Sequence, residues 1–253
     1  MSKFIEELEK VGVTTPQRLG FGAGRAESKS PNLLLVGVVN SYQPKKLSKS
    51  DINYIAIASN PIEADPIADG KTVVGIWPKA TDSLDLDSLS SKLVDFIIIP
   101  DIEVSSEIIA SEDIGKLIVI TDSTPEEIYR SVEELPLDGI VVSGITKASP
   151  LSIRDIMWMR SIRDVTTKPI LLTSNRMLSD QELSVIREAG LQGIILDLAK
   201  VKDKEVKNML ASIASMPSKK NLRESISATL PRSQSIPTES DPDFDDDDDD
   251  DLD

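Results

Sequence analysis

Eight short apolar, β-branched runs recur at regular spacing and constrain the fold more than any other feature of the chain. They read LLLVGVV (33–39), YIAIAS (54–59), TVVGIWP (72–78), FIIIP (96–100), KLIVIT (116–121), GIVVS (139–143), PILLT (169–173) and GIILDL (193–198). Each has the length of an ordinary strand. The runs are continuously apolar, as expected of strands covered on both faces in a parallel sheet flanked by helices. Helical patterns fill the later gaps. Residues 124–134 read TPEEIYRSVEE, with Thr124 as the cap and Pro125 in the first turn. Residues 150–163 follow Ser149 as the expected cap. Residues 179–189 begin with a capping box of Ser179 and Glu182 and end at Gly190. Val206, Met209, Leu210 and Ile213 recur at helical spacing within 203–215, and Phe4, Ile5, Leu8 and Val11 share one face of an extra N-terminal helix over 2–12. Segments 40–53 and 60–71 show little periodicity, so those crossovers are read as short helices or loops.

Eight strands alternating with crossovers predict an α/β chain folded as a (β/α)8 TIM-type barrel over residues 1–216, with irregular first crossovers. The rival, an open doubly wound sheet, would want a glycine-rich first βα turn. Here the first strand runs into NSYQPKK. From Pro217 the composition changes to Ser, Pro and charge, ending in DPDFDDDDDDDLD. Such a segment has too little apolar surface to offset its ordering entropy, so 217–253 is expected to be a disordered tail ending in poly-Asp. It holds four basic and twelve acidic residues, which is −8 of the net −15 and leaves −7 on the barrel. A body of that sign argues against nucleic-acid binding. The charged start MSKFIEELEKVG is unlike a secretory signal, and no apolar run nears the roughly 18 residues of a spanning helix. A soluble, cytoplasmic protein without membrane contact is expected.

The stretch 168–198, KPILLTSNRMLSDQELSVIREAGLQGIILDL, with LDGIVVSG at 137–144, resembles the last βαβ unit of the aldolase-type and phosphate-binding TIM barrels. These include the thiamine phosphate synthase-like and indole-glycerol-phosphate synthase-like families. The resemblance covers about the last third of the globular part and is generic to the superfamily. It implies a barrel with a ligand phosphate held by glycine loops after strands 7 and 8. This chain departs there: strand 7 runs into Ser174-Asn175-Arg176 and strand 8 into Asp197-Leu198-Ala199-Lys200, without a glycine.

With no Cys and no His, zinc–thiolate and iron–sulfur sites, thiol nucleophiles and histidine acid–base chemistry drop out. Chemistry falls to the polar residues at the C-terminal strand ends: Asn40, Asn60, Lys79, Asp101, Asp122, Ser143, Thr173 with Asn175, and Asp197. Asp101, Asp122 and Asp197 could hold Mg²⁺ through oxygen ligands, or they could simply satisfy turn amides, the commoner use of Asp after a strand. Asp101, Asp122 and Lys79 are the candidate catalytic residues. Lys79 and Lys147 are candidate amines for a Schiff base or ordinary solvated lysines, and Lys168 lies at the opposite end of its strand. Asn40, Asn60, Ser143, Asn175, Arg176 and Arg25 are the candidate ligand-binding residues. Arg25 lies just after GFGAG (20–24), which precedes the first strand and so is read as a flexible loop, not a nucleotide fingerprint. The basic stretch QPKKLSKS (43–50) attracts an anion or is a solvated loop. Met157 and Trp158 pack a helix on the barrel or face a partner.

Two function classes remain open. One is a barrel used for binding or scaffolding, a pseudoenzyme whose acidic tail docks a basic protein partner. The tail resembles in composition the acidic tips of bacterial single-stranded-DNA-binding proteins, although Phe244 lies upstream of the acids here. Folding back onto Lys45, Lys46 and Lys49, or acting as a solubiliser, are its other readings. The second class is a lyase or isomerase acting on a small anionic metabolite at the C-terminal rim, with Mg²⁺ as the candidate cofactor.

Overall fold

The computed structural model describes residues 2–12, 31–40, 52–58, 72–78, 94–111, 113–144 and 150–217. These all belong to one unit, Met1–Lys219. Asn60, Lys79, Arg25, Lys147, the GFGAG and QPKKLSKS segments and the tail lie outside the described residues. The expected strands form at the expected places: β1 Leu34–Val39, β2 Tyr54–Ile57, β3 Val73–Ile76, β4 Phe96–Ile99, β5 Gly115–Ile120, β6 Gly139–Val142, β7 Ile170–Ser174 and β8 Gly193–Asp197. All pair in parallel with their chain neighbours, and β8 closes on β1, with Leu34 opposite Gly193. The chain is a closed eight-stranded barrel.

The helices are α1 Lys3–Lys10, α2 Glu126–Glu134, α3 Ile153–Val165, α4 Asp180–Glu188 and α5 Asp203–Ser215, with a 3-10 turn at Ser106–Ala110 after β4. Two helix starts differ from expectation. Thr124 does not cap α2: Pro125 is the N-cap, and Thr124 Oγ1 instead accepts from Thr121 N at 3.1 Å, tightening the turn after β5. Helix α3 starts at Ile153, capped by a reciprocal box of Ser152 and Asp155 rather than by Ser149. The reason lies just upstream. Leu151 N donates to Glu182 Oε1 at 3.0 Å, which holds the approach to α3 outside the helix. The Ser179–Glu182 box of α4 forms as expected. Gly190, at φ +96°, ends that helix where a Cβ would strike Arg163 Cδ at 2.6 Å. Arg163 in turn donates to Gly190 O and to Lys168 O. Trp158 packs against the outer core and its Nε1 donates to Tyr129 OH at 3.1 Å, whereas Met157 is 67% exposed.

Strand alternation sorts the apolar residues into two cores. Leu35, Ile55, Ile76, Ile97, Ile118, Ile140, Leu172 and Ile194 face outward and pack with the helices. Leu34, Val36, Ala56, Phe96, Ile98, Leu117, Val119, Val141, Leu171 and Ile195 form the second core, inside the barrel, and α1 joins them through Phe4, Ile5, Leu8 and Val11. Helix α1 therefore plugs the N-terminal mouth. Phe4 stacks on Phe96 at 4.2 Å between ring centroids, tilted by 29°. Asp95, just before β4, fastens the start of the plug: its carboxylate accepts from Ser2 Oγ at 2.6 Å and from the backbone N–H groups of Lys3 and Phe4 at 2.9 Å. Side-chain caps of this kind satisfy the N–H groups a helix start leaves unpaired.

Gly75 makes room for this arrangement. A Cβ there would lie 2.3 Å from Phe96 Cε2, and Phe96 is fully buried with nowhere to move. Gly75→Ala is expected to destabilise the barrel by about 1–3 kcal/mol through overpacking. Adding Phe96→Leu should return part of that loss, a coupling read directly from urea melts of the two single variants and the double variant.

Candidate functional site

Helix α1 packs on the inner core at the N-terminal end, and the other face of the barrel is formed by the C-terminal ends of the strands. Alternation continued from the inner core places Asn40 after β1, Trp77 after β3, Thr121 after β5, Ser143 after β6, Thr173 and Asn175 on and after β7, and Asp197 at the end of β8 on the inward register. Asp101 and Asp122 fall on the other register, in line with Ile97, Ile99, Ile118 and Ile120, which face the helices. Both are exposed.

Of the three acids read as either metal ligands or turn residues, Asp101 and Asp197 serve separate turns. Asp101 Oδ1 accepts from Glu103 N at 3.4 Å. Asp197 Oδ1 accepts from Ala199 N at 3.0 Å, and its Oδ2 pairs with Lys200 Nζ at 3.1 Å. Asp122 lies beside the end of β6, where a Cβ on Gly144 would sit 3.6 Å from its Oδ1. Among the described residues no group of three acids is placed to hold a metal ion. The turn reading of Asp101 and Asp197 is the one their hydrogen bonds express.

The β7 loop is held from within. Ser174 Oγ donates to Arg176 O at 2.7 Å and accepts from Arg176 N at 3.3 Å. The Arg176 guanidinium forks onto Glu182, NH2 to Oε1 at 2.5 Å and NH1 to Oε2 at 3.1 Å, and also donates to Met177 O. Glu182 further accepts from Ser179 N, Ser179 Oγ and Leu151 N. The Arg176 hydrogen bonds, with the amides of Ser179 and Leu151, pull the Glu182 carboxyl down to about 2. Arg176, expected to bind a ligand, thus ties the β7 loop to the start of α4. Thr173 Oγ1 is likewise engaged, donating to Val142 O at 3.2 Å. Lys168, at the opposite end of β7, donates through Nζ to Val132 O and Leu135 O, and burial lowers its ammonium pKa. It finishes α2 rather than serving chemistry.

Thr121 and Trp77 were missing from the sequence-derived candidates. Both sit at the edge of a continuous apolar run, and which alternation faces inward cannot be told from a run without polar gaps. Thr121 Oγ1 shares hydrogen bonds with Ser123 Oγ at 2.7 Å and Thr124 Oγ1 at 3.3 Å. Trp77 continues the β3 ladder, its backbone N donating to Ile57 O at 2.8 Å, and its ring packs against the inner core.

No protein-family model matches the chain, and no curated protein matches it. Solved structures do. A mutant tryptophan synthase alpha-subunit from the hyperthermophile Pyrococcus furiosus superposes with a TM-score of 0.55 at 10% identity, covering 72% of this chain and 96% of its own. The native KDPGal structure gives 0.52 at 14% identity, covering 72% and 93%. The fold shared with these structures is the closed, eight-stranded TIM barrel. At these identities the likeness shows the fold alone. Among the described residues no helix is long and apolar enough to cross a membrane.

Glu182→Gln is expected to remove about 2 kcal/mol at neutral pH by weakening charge-assisted bonds to Arg176 and three N–H or O–H donors. The folded carboxyl is depressed below its unfolded value. Its contribution is therefore complete above the ordinary carboxylate range and is lost as the pH falls from about 4.5 toward 2. Urea melts at neutral and acid pH should show the gap between wild type and variant closing in that window.

Proposed function

We propose that the chain is a small-molecule enzyme of the lyase or isomerase type, working at the C-terminal mouth of the barrel. One observation carries this reading: α1 and its apolar face fill the N-terminal mouth, so the inward polar side chains gather at the other end. Placing chemistry on that rim is the usual economy of this architecture, because the strands hold each side chain rigidly while the loops vary. The aldolase-type neighbours lend support, although shared fold does not fix function.

In this reading Asp197 accepts the substrate's proton. It is half-buried at the end of β8, and its Oδ2 pairs with Lys200 Nζ at 3.1 Å. Ser143 and Asn175, half-buried on β6 and β7 ends, orient the substrate through a hydroxyl and an amide. Proton abstraction beside a carbonyl, the step common to many lyases and isomerases, needs a positioned base and donors for the developing oxyanion. Both are of residue types this rim supplies without histidine.

A thermal-shift panel of aldehydes, keto acids and sugars, with and without phosphate, on the full chain tests the reading. A ligand at 100 times its Kd adds about 2.7 kcal/mol, which for a domain of this size raises Tm by roughly 5–10 °C. At least one compound should do so, and Asp197→Asn should abolish turnover of that compound while the variant stays folded. Silence across the panel would favour the scaffold reading and turn attention to partners of residues 217–253.

A further inference from the structure

Trp77 is one of two tryptophans in a chain with only 4% aromatic residues. The other, Trp158, lies among the outer helices with its indole N–H bonded to Tyr129 OH. Trp77 differs on both counts. It stands one residue past β3 on the inward register, packs against the inner core and stays partly exposed. Its Nε1 has no hydrogen-bond partner among the described residues, although partly buried tryptophans usually find one. Directly below it on β3 is Gly75, whose space is taken by the Phe96 ring, so the base of the mouth beside Trp77 is apolar. Among the described residues the inward rim also carries the Asp197 carboxylate, the Asn175 amide and the Ser143 hydroxyl, each able to accept a hydrogen bond.

The corner where related barrels grip phosphate has no such vacancy. Arg176 is forked onto Glu182, and Lys200 is paired with Asp197. Three of the loop amides are also taken: Arg176 N by Ser174 Oγ, Ala199 N by Asp197 Oδ1 and Lys200 N by Asp197 O. A phosphate arriving there would displace internal bonds and meet the Asp197 charge.

We propose that Trp77 is the stacking wall of a binding site in the barrel mouth, and that its ligand is a planar heterocycle bearing hydrogen-bond donors and no phosphate. The inference rests on the mouth being the working end and narrows the substrate class for that same site. The ring lies on the indole, its donors face Asp197, Ser143 and Asn175, and the indole N–H meets an acceptor on the ligand.

The test uses three probes on the full chain: adenosine, adenosine monophosphate and ribose 5-phosphate. Adenosine should quench tryptophan emission in the wild type. The quenching should vanish in Trp77→Phe, which leaves only the remote Trp158. Calorimetric affinity for adenosine should fall about tenfold or more in Trp77→Ala, the loss expected when a base-stacking side chain is truncated, and by less in Trp77→Phe. Adenosine monophosphate should bind no tighter than adenosine, and ribose 5-phosphate should not bind. Far-UV circular dichroism verifies that both variants are folded; should Trp77→Ala not fold, wild type and Trp77→Phe still decide. Tighter binding of either phosphorylated probe than of adenosine, or adenosine binding unchanged in Trp77→Ala, overturns the inference while leaving the mouth as the working end. Failure of all three probes overturns it too. The broader reading of the mouth falls only if the wider metabolite panel also leaves Tm unmoved.

Discussion

The fold depends on how one aromatic side chain fits the middle of the barrel. A ring of eight parallel strands encloses a space that side chains must fill at solid-like density. Most of this chain's filling is aliphatic, and Phe96 is the one fully buried aromatic ring that a strand supplies to the interior among the described residues. It lies over Gly75 on the neighbouring strand and under Phe4 from α1. Three parts of the sequence far apart in number meet at that stack. Asp95, immediately before Phe96, then caps the helix that carries Phe4. The same short segment thus places the interior ring and secures the plug that covers it.

Plugging one mouth gives the barrel a direction. Inward side chains change along the axis from Phe4, Leu8 and Phe96 at the base, through aliphatic residues, to Trp77, Ser143, Thr173, Asn175 and Asp197 at the top. Polarity is therefore concentrated where the strands end and the loops begin. The rim has also turned its strongest charges inward on itself. Glu182 holds Arg176, and Asp197 holds Lys200 and the amide of Ala199. These bonds fix the β7 and β8 loops.

Much of the architecture was legible in the sequence. The eight apolar runs gave the strands because continuous β-branched stretches suit a sheet buried on both faces. Ser179, Glu182 and Gly190 gave both ends of α4, since capping chemistry is local. The start of α3 was not legible: the sequence points to Ser149 as the cap, whereas Ser152 caps the helix, just after Leu151 N donates to Glu182 on the next helix. The site was read less well for a related reason. Asp101, Asp122 and Asp197 look alike after their strands, yet only Asp197 lies on the inward register. Trp77 and Thr121 were hidden because an unbroken apolar run does not reveal which alternation faces the centre. Arg176 looked like an anion ligand until its partner, six residues on, was placed opposite it.

The central claim is that this barrel works from its C-terminal mouth. Amide hydrogen exchange by mass spectrometry, comparing the free full chain with the chain saturated by whichever compound most raises its Tm, tests that claim most directly. Added protection should fall on the segments following β5, β6, β7 and β8, around 121–124, 143–144, 174–178 and 197–200, with α1 unchanged. Protection centred instead on α1 and Asp95, or on the outer faces of α2 and α3, would contradict it.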